Sequence, residues 1–141
     1  METAKLLTPK DIDGMKAVIE DDAMIFNPEY IKDYLSTDGN YAFGWISDGR
    51  IVGLAYGYDL ERLDGRHMFY LHSIGFLPEY QNGGRGAKFF QYIVDYARKH
   101  KFSEVFVITD KSNPRACRIY EKAGAKSDRD DDIVYVADFE K

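Results

Sequence analysis

Apolar and polar positions alternate with two different periods along this chain, and the switch between them marks the elements. Residues 5–7 read as a short first strand. Thr8 can cap the helix that follows, Pro9 suits its first position, and Asp11 and Asp13 favour its N-terminal turns. Ile12, Met15, Val18 and Ile19 recur at helical spacing and supply its apolar face. A second helix is expected from Asn27 and Pro28, presenting Tyr30, Ile31 and Leu35. Residues 41–46 and 51–58 are β-rich runs joined by residues 47–50, whose Asp48-Gly49 pair is a strong hairpin signal. After a polar turn over residues 60–66, residues 68–77 form an aromatic and aliphatic strand ending at Pro78. The turn over residues 81–86 is rich in glycine, and residues 87–98 return to helical spacing. Residues 104–109 read as a buried strand. Asn113 as N-cap, Pro114 at the first position and Gly124 just past the end delimit a short helix. An acidic stretch, residues 127–132, leads to an expected last strand over residues 133–139. The order β-α-α-β-β-β-α-β-α-β is that of a mixed α/β (α+β) chain with a largely antiparallel first half.

Composition narrows this reading. The 141 residues are 45% apolar and 15% aromatic, enough for one globular domain over residues 1–141 with a real core. No apolar run approaches the ~20 residues of a membrane span, and the N-terminus lacks the apolar stretch of a signal peptide, so a cytoplasmic protein is expected. The single Cys117 excludes an intramolecular disulfide. No ligand spacing joins it to His67, His72 or His100, so no metal is expected. The net charge of −5 argues against nucleic acid, whose phosphates need a basic face, and is compatible with a cationic substrate. It is equally what keeps an ordinary protein in solution.

The chemistry concentrates at the glycine-rich turn. A helix N-terminus carries four N–H groups without intrahelical partners and a partial positive charge, and glycine lets an anion reach that backbone. Arg85 and Lys88 add cationic side chains. The turn is no dinucleotide fingerprint, because Phe89 follows Gly84 and Gly86 where the third glycine belongs. It lacks the Gly-Lys-Ser/Thr ending of a P-loop as well.

Gln81, Gly84 and Gly86, following a strand that ends at Pro78, instead resemble the pyrophosphate loop of the GNAT N-acetyltransferases. Asn113, Ala116, Tyr120 and Gly124, with Ile119 in a leucine place, resemble the second signature of that superfamily. Together the motifs cover residues 68–125. The resemblance implies a central mixed β-sheet flanked by helices on both faces, with the strands ending near Phe76 and Thr109 splayed apart. It implies acetyl-CoA (coenzyme A) held by Gln81, Asn82, Gly83, Gly84, Arg85, Gly86 and Ala87, with Asn113, Arg115, Ala116 and Tyr120 on the second helix. A backbone N–H from Ile74, Gly75 or Phe76 would polarise the thioester carbonyl. Tyr120, on the helical face of Ala116 and Ala123, takes the place of the general acid. The base stays open: Glu79 and His72 are the named choices, beside Asp110 and a water held by Ser73. Strand alternation sets His72 and Ser73 on opposite faces. Met24, Phe26 and Tyr30 fall where the family lines its acceptor pocket. The acidic run, including Asp130, Asp131 and Asp132, is either a solvated loop or a patch for a polyamine-like cation.

The expected function is therefore acetyl transfer to a primary amine of a small molecule. A lysine or N-terminal amine of a protein is the alternative, and a non-catalytic acyl-CoA-binding module is the reading from another class. Within the superfamily the chain is similar to small aminoglycoside 3-N-acetyltransferases, departing from them at Asn113 and Ser73, where acidic residues are expected. The partners implied are a small-molecule amine and, as an open choice, a second copy in a homodimer.

Overall fold

A computed structural model describes residues 1–127 and 131–140. Five strands form one sheet: β1 (Glu2–Leu6), β2 (Asn40–Ser47), β3 (Arg50–Glu61), β4 (His67–Phe76) and β5 (Glu104–Val107), in that spatial order. The first three pairings are antiparallel and β5 runs parallel to β4. Parallel neighbours need a crossover, which α3 (Arg85–Lys99) supplies. Helices α1 (Lys16–Asp21) and α2 (Pro28–Ser36) lie before the sheet's long strands, and α4 (Pro114–Lys122) follows β5.

Helices cover both faces because the inner strands are apolar on both sides. Phe43, Trp45, Val52, Ala55, Phe69 and Leu71 meet Phe89, Phe90, Ile93 and Ala97 of α3 in one cluster. Their neighbours Ala42, Ile51 and Leu54 turn the other way, onto Leu7, Met15, Val18 and Ile19. This two-sided burial is what the helix-flanked mixed sheet requires.

Local signals act where expected. Asp48 (φ 49°) and Gly49 (φ 81°) both adopt positive φ, the type I′ turn that suits the twist of a two-residue hairpin. Thr8 forms a full capping box: its hydroxyl accepts from Lys10 N (3.4 Å) while Asp11 accepts from Thr8 N (2.9 Å). What it opens is a 3-10 helix, Pro9–Met15, that becomes α1 only at Lys16. At three residues per turn Ile12 and Met15 stack on one side, and both are buried.

Two differences bear on the site. Tyr56 pairs with Ser73 and Gly57 with Leu71, so His72 is the extra residue of a β-bulge in β4. Gly57 is required there, since a Cβ would collide with the Tyr70 carbonyl oxygen. The bulge breaks the alternation that separates His72 from Ser73. The His72 ring lies 5.4 Å from that of Tyr56, the residue paired with Ser73, so both belong to the α1–α2 side. The expected last strand is the second difference. Among the described residues 131–140 none is in a strand, and Ile133, Val134, Tyr135, Val136 and Phe139 are 64–94% exposed. β-prone residues become a strand only when an edge pairs with them, and their propensity alone does not supply it.

Candidate active site

The sheet opens at its C-terminal edge. β4 and β5 pair from Met68↔Glu104 to Leu71↔Val107 and no further, while β4 continues to Phe76. Leu77 N–H donates to Val52 O on the β3 side (2.9 Å). Since N–H groups alternate along a strand, those of Ile74 and Phe76 point to the open side. No acceptor takes either of them there among the described residues. Ser73, Ile74, Gly75, Phe76 and Gln81 line a pocket of about 150 Å³.

Gln81 also borders a larger groove of about 540 Å³, shared with Asn82, Gly83, Gly84, Gly86 and Ala87. Pro78–Tyr80 form one 3-10 turn, Gly83 (φ 87°) and Gly84 (φ 76°) turn left-handed, and α3 begins at Arg85. No side chain caps α3, so its first N–H groups face the groove. Nothing lies within 4 Å of where a Gly84 Cβ would stand, whereas a Gly86 Cβ would come 2.6 Å from Ile119 Cδ1. Gly84 thus leaves room at the helix terminus, and Gly86 lets α4 approach α3.

The cations divide their work. Arg85 binds Glu2 through Nε (2.7 Å) and a terminal nitrogen (2.9 Å), and donates to Asn82 O (2.7 Å). Its guanidinium lies 5.3 Å from the centre of the Tyr80 ring. Arg85 is therefore a brace that ties the loop to β1. These bonds, and one from Trp45 Nε1 (2.6 Å), lower the Glu2 carboxyl from 4.5 to about 2. The groove is lined instead by Arg115, Arg118 and Lys122 of α4. Arg115 donates to Gln81 Oε1 (2.9 Å) and to the Gln81 carbonyl, while Gln81 Nε2 donates to Phe76 O (3.2 Å). Arg118 and Lys122 escape sequence reasoning, although their spacing from Arg115 (i+3, i+7) puts all three on one helical face. An open helix terminus faced by three cations and one carboxylate, Glu121, still leaves a net positive groove that fits a diphosphate.

α4 has the ends its sequence announces. Asn113 Oδ1 accepts from Ala116 N (3.1 Å), Pro114 begins the helix and Gly124 is left-handed (φ 92°). Asp110 accepts from Ser112 N (2.8 Å), which holds its carboxyl below the ordinary range and makes it a loop-former. Tyr120 is half-buried, its ring edge-on to Phe90 at 4.9 Å. It borders a third pocket of about 240 Å³ with Val107 and Thr109, where β5 ends. Burial, with Cys117 nearby, raises its phenol above 10, so it holds its proton at neutral pH.

His72 is exposed on the sheet face that carries Tyr56, with Nδ1 3.0 Å from the Tyr70 hydroxyl, and borders none of these pockets. Glu79 is exposed on the 3-10 turn and borders none of these pockets. The structure therefore gathers Ile74, Gly75, Phe76 and Gln81 in one place and the glycine loop with Arg115 in the next. Tyr120 stands on the far flank of the opening, and His72 on the α1–α2 side of the sheet. Next to Ile74–Phe76, on that side, a further chamber of about 310 Å³ is walled by Tyr34, Tyr56 and Tyr58 and reached past Met24 and Tyr30. Phe26 packs against the cluster beneath. Residues 128–130 of the acidic run lie outside the described residues.

The sheet thus splits beside an uncapped helix terminus, a backbone frame suited to an anionic ligand. The chain belongs to the GNAT acetyltransferase family: the model described as "Acetyltransferase (GNAT) family" matches residues 13–125. No curated protein matches it in sequence. Among solved structures it is similar to the aminoglycoside acetyltransferase meta-AAC0020 from an uncultured soil metagenomic sample, in complex with trehalose. That match has a TM-score of 0.83 at 20% identity and covers 96% of this chain and 95% of that one. It is also similar to the ribosomal-protein-alanine N-acetyltransferase of Brucella melitensis biovar Abortus 2308 (TM-score 0.75, 18% identity, 96% and 100% covered). A transcriptional regulator from Bacillus halodurans C-125 shares the fold too (TM-score 0.79, 17% identity, 96% and 100% covered). At these identities the likeness is one of fold. No helix among the described residues is long and apolar enough to cross a membrane.

Proposed function

We propose that this protein uses acetyl-CoA to acetylate a primary amine of a small molecule. One observation carries the reading: the free N–H edge of β4 lies between the diphosphate-sized groove and the acceptor-side chamber, joined to the first through Gln81 and to the second through Met24, Leu54 and Tyr56.

Acetyl-CoA, when bound, supplies an acetyl group on a thioester whose carbonyl oxygen gathers negative charge as an amine attacks. The α3 terminus with Asn82–Ala87 holds the diphosphate, and Arg115, Arg118 and Lys122 neutralise it. The N–H groups of Ile74 and Phe76 are fixed by the β3–β4 ladder, so they meet developing charge without reorganising. An alkylamine is mostly protonated at pH 7 and must give up a proton before it attacks. His72 stands on the acceptor side, on the same strand as those donors, and takes that proton through water. Glu79, which like His72 borders none of the pockets, is the other candidate for that proton. Tyr120, protonated and beside the end of β5, returns a proton to the departing sulfur.

The test is release of free coenzyme A from acetyl-CoA in the presence of a panel of primary amines. Amine-dependent release is expected. Acetyl-CoA binding without turnover of any amine would replace this reading by the non-catalytic acyl-CoA-binding module.

A further inference from the structure

The lining of the acceptor chamber restricts what kind of amine can enter. This inference rests on the acetyltransferase reading above and deepens it. Among the described residues, none on the walls of the chamber of about 310 Å³ is charged. Tyr34 is fixed there, its hydroxyl shared between the carbonyls of Tyr41 and Gly57 (2.8 Å each). The rings of Tyr56 and Tyr58 stand edge-on to it at 6.0 and 5.8 Å. At the mouth, Tyr30 and Ile25 are 67% and 92% exposed, an apolar surface that water covers at a cost. Among the described residues, charge appears in the adjoining pocket, which shares Met24, Leu54 and Tyr56 with the chamber. That pocket holds Ser73 and the free N–H edge and also carries Asp21 and Asp22.

The chamber is thus apolar and aromatic, and the adjoining pocket beside the free N–H edge carries the exposed carboxylates Asp21 and Asp22. We infer that the acceptor is a primary amine with one cationic end and an apolar or aromatic body, of the arylalkylamine class. Its ammonium would be drawn by Asp21 and Asp22 and pass over tyrosine faces, which attract cations. Its body would displace water from Tyr30, Tyr56 and Tyr58. An aminosugar fits poorly, because its hydroxyls and further ammonium groups would be desolvated against walls offering no carboxylate. A spermidine-like cation meets the same obstacle. The neighbours that act on aminoglycosides share the fold with this chain, and its chamber walls argue for a different acceptor.

The experiment uses the whole chain and two readouts. Coenzyme A release is measured with 2-phenylethylamine, spermidine, kanamycin and a peptide with an N-terminal alanine. Binding of 2-phenylethylamine is measured separately by equilibrium dialysis with coenzyme A present. The expected result is a kcat/KM for 2-phenylethylamine at least about tenfold above each of the others. Tyr58→Lys, and independently Ile25→Lys at the exposed mouth, should each weaken its binding about tenfold by placing a cation on the path. Equal or better turnover of spermidine, kanamycin or the peptide would overturn the inference while leaving the acetyltransferase reading intact. If no amine is turned over, the acetyltransferase reading fails. The dialysis then decides the chamber alone: saturable binding lost in both variants upholds it, and no binding overturns it.

Discussion

The two helices that border the diphosphate-sized groove are held very differently. α3 buries Gly86, Phe89, Phe90, Ile93 and Ala97, and its Phe89 ring packs against Trp45 and Phe76 of the sheet. α4 has no fully buried residue. It touches the core through Ile119, Tyr120 and Ala123, beside the four-residue β5 at the sheet's edge. One wall of the groove is therefore part of the core, while the other is an appendix to it. The uncapped N–H groups of the α3 terminus sit on the fixed wall, and the side-chain cations and Tyr120 sit on the looser one. Position is most exacting where N–H groups must point, and it is less so where flexible cations need only approach.

Core substitutions should expose this asymmetry most strongly. Phe89→Ala, at a position with 0% exposure, should cost about 3–5 kcal/mol, a large share of the stability of a domain this size. Ile119→Ala on α4 should cost about 1 kcal/mol, because a half-buried side chain loses only part of its transfer energy. Urea unfolding of the two variants measures both. Equal losses would mean that α4 is as much part of the core as α3.

Tyr120→Phe should leave folding nearly unchanged, since the ring and its contact with Phe90 remain. On the proposed function it should lower kcat by about 10²–10⁴-fold, the usual contribution of a general acid. The phenol is raised above its ordinary value of 10, so it stays protonated through neutral pH and loses its proton only in strong alkali. Tyr120 should therefore impose no fall in kcat through neutral pH. A Phe variant as fast as wild type would remove Tyr120 from the chemistry.

Gly84→Asp tests the fixed wall. Gly84 has φ 76° and open space around it, and aspartate is among the residues that tolerate this conformation best, so the fold should survive. Its carboxylate would stand where a diphosphate is expected. Wild type should gain about 2.7 kcal/mol at acetyl-CoA concentrations near 100 Kd, seen as a rise in melting temperature. The variant should gain almost none. An unchanged rise would take the loop out of the binding site. Gly86→Asp is a poorer probe, because Ile119 would clash with any side chain there.

What the sequence disclosed follows from how local each cause is. The Asp48-Gly49 hairpin, the Asn113-Pro114 start and Gly124 end of α4, and the glycine turn before α3 are set by residues within a few positions of each other. Their boundaries agree closely with the structure. The features that differ depend on contacts far along the chain. The bulge at His72 arises from pairing with β3. Arg85 is claimed by Glu2, 83 positions away. The tyrosine chamber joins α2 to β3, although Tyr56 and Tyr58, two apart in a strand, already announced a shared face. Residues 133–139 have strand composition, but a strand needs a partner edge that composition cannot provide.

The smallest expected effect concerns the brace between β1 and the loop, which couples the N-terminal strand to the fixed wall. Glu2→Gln removes the charge from the Arg85 pair and keeps the size of the side chain. Arg85 then retains its bond to Asn82 O and its place over Tyr80, so the loop should stay formed and acetyl-CoA affinity should fall only about two- to threefold, in keeping with the small worth of exposed ion pairs. The effect carries a pH signature. The Glu2 carboxyl is lowered from 4.5 to about 2 in the folded chain, so its contribution to stability is fully present above pH 4.5. As pH falls from 4.5 towards 2 the unfolded chain takes up the proton first, and that contribution is lost. Wild type should therefore lose more stability than Glu2→Gln between pH 5 and pH 3, and the two urea midpoints should converge. High salt at neutral pH should narrow the gap in the same direction by screening the pair. Midpoints that stay parallel across this range would show that Arg85 holds the loop through Asn82 and Tyr80 alone, with Glu2 as a bystander.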